Sequence, residues 1–129
     1  MYHIVTGIGP EDSQVCSKVN AITELPAVSE SVSVTIVHVT DEETDLLTIP
    51  TVAAAHERLT DHEIDVSLRT ADGTPLNAVL SVADDEDADL ICIGGRHRSP
   101  AGKMQLRSGS KAVVLNTDRP VLIAGSDEE

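Results

Sequence analysis

Residues 89–95, DLICIGG, form a continuous apolar run that ends in two glycines. A strand with aliphatic side chains on both faces has no face to offer water. It must lie in a sheet covered above and below, which is the situation of parallel strands in an α/β domain. The rest of the core obeys the same constraint. Phe and Trp are absent and Tyr2 is the only aromatic residue, so valine, leucine, isoleucine and alanine must fill the interior.

Strand and helix signals alternate along the chain. The first strand is YHIVTGI (2–8), closed by Gly9 and Pro10. Residues 12–25 carry Val15, Val19 and Ile22 at helical spacing, with Asp12 or Ser13 as cap. SVSVTIVHV (31–39) is a β-branched strand, followed by a polar, acidic connection over 40–50. Residues 51–60 place Val52, Ala55 and Leu59 on one helical face. EIDVSLRT (63–70) alternates like a half-exposed strand. Thr74 caps a helix with Pro75 at its first position and Leu76, Val79, Leu80 and Ala83 as its buried stripe. After the 89–95 strand come a last helix over 108–117, through Val113, Val114 and Leu115, and a final strand, PVLIAG (120–125). This order predicts an α/β fold: one domain (1–125) built on a five-stranded parallel sheet with helices on both faces, Rossmann-like, and an acidic tail (126–129). In such sheets ligands bind beyond the carboxyl ends of the strands, at the topological switch point.

The formal net charge of the 129 residues is -13, from 22 acidic and 9 basic side chains. That field repels nucleic acid and anionic membrane, so neither is an expected partner. With lysine scarce (Lys18, Lys103, Lys111), the composition predicts adaptation to high salt, where screening tolerates the self-repulsion. Cys16 and Cys92 sit in apolar patterns as small hydrophobes, which fits a reducing cytoplasm. No signal peptide is readable, and no apolar run approaches the about 18 residues of a membrane span.

Against this acidity stands one basic island. Arg96, Arg98, Lys103, Arg107 and Lys111 all fall within residues 94–111, GGRHRSPAGKMQLRSGSK, with no acid among them. A Gly94-Gly95 turn after a buried strand would bring the backbone close to a ligand, and its N–H groups would form an anion nest. A helix starting near Ser108 and Gly109 would aim its positive end the same way. Arg96, Arg98 and Lys103 add donors suited to phosphate. The expected binding residues are Gly94, Gly95, Arg96, His97, Arg98, Ser99, Gly102, Lys103, Ser108 and Gly109. The bland reading is a solvated loop whose cations pair with acids elsewhere. The stretch is not a P-loop, because Lys103 is followed by Met104, and GIGPED after the first strand lacks the third Rossmann glycine.

The ordered segments VHVTDE, GTPLNAVLSVADDEDADLICIGGR and SGSKAVVLNTDRPVLI resemble the universal stress protein family over nearly the whole chain. The resemblance implies a five-stranded parallel fold, a homodimer packed through the last strand and, in one subclass, bound ATP. Members of that subclass carry a glycine, two residues, a second glycine, nine residues and then Gly-Ser. Here those positions are Gly94, His97 and Arg107-Ser108, so the motif is degenerate. The family's strand-one aspartate falls on Ile8, which cannot hydrogen-bond a nucleoside, and the residue lining the adenine pocket matches Val39. The expected function is regulatory: binding an adenine nucleotide, ATP or a relative with its associated magnesium, or a smaller phosphate ligand, and signalling to an unidentified protein partner. The alternative is a nucleotide-independent interaction module of the same fold.

Other chemistry is weakly supported. The histidines at 3, 38, 56, 62 and 97 show no metal spacing, and DDEDAD (84–89) lacks the glycine and spacing of a calcium loop. No Ser-His-Asp or Cys-His arrangement is readable and no base is placed to activate water, so at most slow ATP hydrolysis is expected.

The charge leads to a direct test. The melting temperature should rise as KCl goes from low to multimolar concentration, because carboxylate repulsion becomes screened. A melting temperature indifferent to KCl would remove the argument for salt adaptation.

Overall fold

The computed structural model describes residues 2–8, 15–25, 32–40, 45–98, 104–106 and 108–125. Among these residues six strands, β1 (Tyr2–Gly7), β2 (Val32–Val39), β3 (Asp65–Ala71), β4 (Leu90–Arg98), β5 (Met104–Leu106) and β6 (Val121–Gly125), form one sheet. Among these residues four α-helices intervene: α1 (Val15–Thr23), α2 (Pro50–Asp61), α3 (Pro75–Asp85) and α4 (Ser108–Leu115). A 3₁₀ turn, Leu46–Thr48, lies in the acidic connection, where the Asp45 carboxylate accepts from the Leu47 N–H at 3.1 Å. The caps expected at residues 12 and 13 and the tail at 126–129 lie outside the described residues.

The parallel strands run in the order β3-β2-β1-β4-β6, five strands as expected. β1 pairs with β2 from Tyr2↔Val32 to Gly7↔Val37 and with β4 from Ile4↔Leu90 to Thr6↔Cys92. Strand alternation sorts the aliphatic residues onto two faces. Ile4, Ile8, Val34, Ile36 and Cys92 pack with Val19 and Ile22 of α1 and with Val52, Ala55 and Leu59 of α2. Val5, Val37, Ile91 and Ile93 pack with Ala78, Val79, Val82 and Ala83 of α3 and with Val113 of α4. The Thr74 hydroxyl accepts from the Asn77 N–H and Pro75 opens α3, as the sequence pattern required.

The sixth strand was not expected. β4 continues three residues past the glycine pair, and β5 folds back on it antiparallel, with Arg96↔Leu106, His97↔Gln105 and Arg98↔Met104. Gly94 and Gly95 are therefore not a turn. They interrupt the pairing of β4 with β6, which steps from Ile93↔Ile123 to Arg96↔Gly125. Three steps on β4 match two on β6, the signature of a bulge, which glycine accommodates.

At the amino end of the sheet the α3 face turns polar. The Glu86 carboxylate accepts from Thr35 Oγ1 (2.6 Å), His3 Nε2 (2.6 Å) and Arg69 (3.0 Å), while His3 Nδ1 meets Ser33 Oγ at 2.6 Å. One carboxylate thus ties β1, β2 and β3 to the end of α3. Burial alone would raise the Glu86 pKa; the hydrogen bonds from Thr35, His3 and Arg69 outweigh it and hold the carboxyl below its ordinary value. A carboxyl depressed in the folded state stabilises the protein above its unfolded pKa and loses that contribution as pH falls.

Two outcomes follow from this packing. In acid titrations, the difference in melting temperature between the natural protein and Glu86→Gln should shrink as pH drops through the carboxylate range; a constant difference would show that Glu86 contributes nothing through its charge. At the carboxyl end, a Cβ added to Gly7 would lie 2.8 Å from Val79 Cγ2 of α3. Gly7→Ala should cost about 1–3 kcal/mol by overpacking, and pairing it with Val79→Ala should recover part of that in a denaturant titration.

Candidate functional site

The strand order reverses between β1 and β4. From β1 the chain proceeds outward to β2 and β3, then returns to the other side of β1 as β4. The crevice at the carboxyl ends of these two strands is where a ligand of such a sheet binds. Its borders are Gly7 and Ile8 from β1, Gly94 and Gly95 from β4, and the carboxyl end of β2 at His38 and Val39. The hairpin enters the same place. Arg96 pairs with both Leu106 and Gly125, and β6 lies on the flank of β4 away from β1. β5 therefore falls on the β1 side, in line with the end of that strand.

The sequence-predicted site residues divide accordingly. Gly94 is buried in β4, and Gly95, Arg96, His97 and Arg98 continue the same strand. His97 takes the extended backbone of a paired strand, so the glycine missing from the nucleotide motif is not required there for a left-handed turn. Ser108 and Gly109 open α4, where the helix was expected to start. Ser99, Gly102, Lys103 and Arg107 lie outside the described residues.

Ile8 and Val39 border the crevice from opposite faces of the sheet. Ile8 is 3 % exposed and packs with Ile4, Val19 and Ile22 beneath α1. Its N–H donates to the Val37 carbonyl (3.0 Å) and its own carbonyl accepts from His38 Nδ1 (2.9 Å). His38 thus has a structural role, cross-linking β1 and β2 at the mouth. Val39 is half-buried and packs on the α3 side.

One group at the crevice carried no sequence signal. Lys18 of α1 is buried, and its ammonium donates to the Gly7 carbonyl at 2.8 Å. Behind it the Cys92 thiol lies 3.9 Å from the Lys18 carbonyl. Burial pushes that thiol up to about 12, against the opposing pull of the Lys18 charge and the Thr6 hydroxyl, so it stays protonated and unreactive. Within the apolar run VCSKVNAI, Lys18 reads as one solvent-facing position of an amphipathic helix; only the packing of α1 over β1 and β4 reveals its burial.

At the opposite end of the sheet, Ser33, His3 and Glu86 are linked in the order of a hydrolytic triad although they are scattered along the chain. Thr35 and Arg69 saturate the same carboxylate, and the described cleft at that end lies elsewhere, at Asp84, Asp87 and Asp118. The arrangement closes the core rather than facing a substrate. The Asp84 and Asp87 carboxylates of that cleft pair with Arg119, whose guanidinium also donates to the Ala88 carbonyl at 2.8 Å. Among the described residues no group of His, Cys, Asp and Glu is placed to hold a metal ion, and no helix is long and apolar enough to cross a membrane.

Known proteins share this architecture. A universal stress protein from Archaeoglobus fulgidus superposes with a TM-score of 0.75 at 23% identity, over 96% of this chain and 98% of that one. A universal stress protein solved in complex with cAMP gives a TM-score of 0.73 at 22% identity, over 98% of each chain. A universal stress protein from Archaeoglobus fulgidus solved in complex with dAMP gives 0.70 at 18% identity, over 96% of this chain and 98% of that one. A universal stress protein of Mycolicibacterium smegmatis is 43% identical over 44 residues, a stretch that spans only 34% of each chain. The family model for universal stress proteins matches residues 3–125, every element of the fold from the second residue of β1 onward, and the chain belongs to the universal stress protein family.

Proposed function

We propose that this protein binds a small phosphate-bearing ligand, an adenine nucleotide among the candidates, in the crevice between β1 and β4. It would act as a regulatory protein rather than an enzyme. The observation that carries this reading is the convergence of the bulged glycine pair of β4 and the start of α4 on the topological switch point. The fold neighbours solved with cAMP and dAMP support it. In this reading Gly94, Gly95, Arg96, His97, Arg98, Ser99, Gly102, Lys103, Ser108 and Gly109 form a variant of the degenerate nucleotide motif, and magnesium would accompany a triphosphate.

The same reading includes a homodimer formed through β6. That edge strand carries half-buried Val121, Leu122 and Ile123, and Leu115, at the end of the preceding helix, is 82 % exposed. An apolar edge of this kind is a liability unless covered. It also includes a salt-adapted, cytoplasmic protein, consistent with the net charge of -13.

A second reading has its own observation. Ile8 occupies the position of the family's nucleoside-binding aspartate and is packed into the core, which favours an interaction module whose basic hairpin docks an acidic partner.

Calorimetry decides between them. The protein should bind ATP and GTP with similar affinity, because nothing at Ile8 pairs with nucleoside hydroxyls. Arg98→Ala should weaken both by roughly ten- to a hundredfold, the value of one charge-assisted hydrogen bond. Absence of binding at millimolar ligand would leave the interaction module standing; strong preference for ATP would overturn the argument from Ile8.

A further inference from the structure

At the mouth of the crevice one buried polar side chain is only half used. His38, next to the end of β2, lies on the face it shares with Val34 and Ile36, toward α1 and α2. It is 6 % exposed, and its Nδ1 lies 2.9 Å from the Ile8 carbonyl. A carbonyl only accepts, so Nδ1 carries the hydrogen. Nε2 has no partner among the described residues. Among them the Thr6 hydroxyl is the one side-chain nitrogen or oxygen both sealed from solvent and without such a partner, so Nε2 reaches the surface. His3 at the other rim differs: both its nitrogens are engaged, by Ser33 and by Glu86.

The tautomer decides what this nitrogen can do. With the hydrogen on Nδ1, a neutral imidazole presents a bare lone pair at Nε2. That lone pair accepts a hydrogen bond and repels another acceptor, so it suits an O–H or N–H group and not a phosphate oxygen. Cross-linking β1 to β2 needs only the Nδ1 donor, which the side-chain amide of an asparagine would also supply. The second nitrogen is surplus to the packing. It opens where β1 and β2 bring their carboxyl ends to the crevice, and Ile8 and Val39 on either side offer no side-chain acceptor. Polar groups of buried side chains are nearly always hydrogen-bonded, which leaves Nε2 to be satisfied from the crevice side.

Resting on the ligand-site reading above, we infer that His38 is a binding residue of that site. Its Nε2 accepts a hydrogen bond from a neutral donor of the ligand, a sugar hydroxyl or a base amino group, so that the site takes nucleotides in preference to bare phosphates.

The test is calorimetry on the full chain, in mildly alkaline buffer that favours the neutral imidazole. The ligands are ATP, dideoxy-ATP without the sugar hydroxyls, purine riboside triphosphate without the amino group, and inorganic triphosphate. The natural protein should bind ATP more tightly than triphosphate. One of the two analogues should fall behind ATP by roughly three- to tenfold, the value of one neutral hydrogen bond; which one falls behind names the donor. His38→Asn keeps a donor for the Ile8 carbonyl and lacks the second nitrogen. It should bind ATP only as well as that analogue, with its affinity for triphosphate unchanged. Equal affinity of the natural protein for ATP and both analogues overturns the role of His38 and leaves the phosphate site in place. So does an unchanged ATP affinity in His38→Asn, or an equal loss for ATP and triphosphate, which is what a merely structural histidine would give. Binding of neither ATP nor triphosphate by the natural protein overturns the site and the inference together. If His38→Asn does not fold, the comparison of ATP with its two analogues on the natural protein decides alone.

Discussion

β1 is the constraint on which the rest of the structure depends. Its backbone is paired on both edges, with β2 and β4, and both its faces are covered. Ile4, Val5 and Thr6, buried and paired on both edges, cannot be exchanged without consequence for two strands and a helix layer. This explains the small and branched side chains along it. Ile4 and Thr6 fill the α1 face, Val5 fills the α3 face, and Gly7 yields space so that Val79 can approach the strand. The nearest atom to the absent side chain of Gly7, at the end of β1, belongs to a helix. Close helix packing is what demands this glycine.

The two ends of the sheet divide the labour. At the amino end, Glu86, His3, Thr35 and Arg69 form a saturated polar network, in which the carboxylate takes three donors. Saturated networks of this kind are specific and rigid. At the carboxyl end, the Thr6 hydroxyl faces the Cys92 thiol and meets no nitrogen or oxygen partner among the described residues. The ligand site proposed here lies at the rim opposite this network, in keeping with the general tendency of open α/β sheets to bind at one rim.

Much of the fold was legible in the sequence. The spacing of Val52, Ala55 and Leu59, the Thr74-Pro75 helix start and the apolar run of β4 each reflect a local rule, and each holds. What was not legible depends on partners distant in sequence. The glycine pair suggested a turn because Gly94 and Gly95 are equally suited to a bulge; only the pairing of β4 with β5 and β6 decides which. The polar network joins residues 30 and 83 positions apart, beyond any periodic signal. The candidate site was legible as a location, the end of the fourth strand, while the burial of Lys18 and Ile8 emerged only from the way α1 lies across the crevice.

The seam between β1 and β4 has a kinetic meaning. The hydrogen bond from the His3 N–H to the Asp89 carboxylate at its base spans 86 residues of chain. Pairings this distant in sequence must close a long loop before they return any energy, and chains dominated by such contacts fold slowly. The crevice proposed to receive the ligand is the open end of this same seam. A chain in which β1 and β4 have not yet met has no such crevice, whatever secondary structure it has formed. A ligand that binds there can engage only molecules whose central strands have already joined, and by binding them it withdraws the finished fold from the unfolding equilibrium.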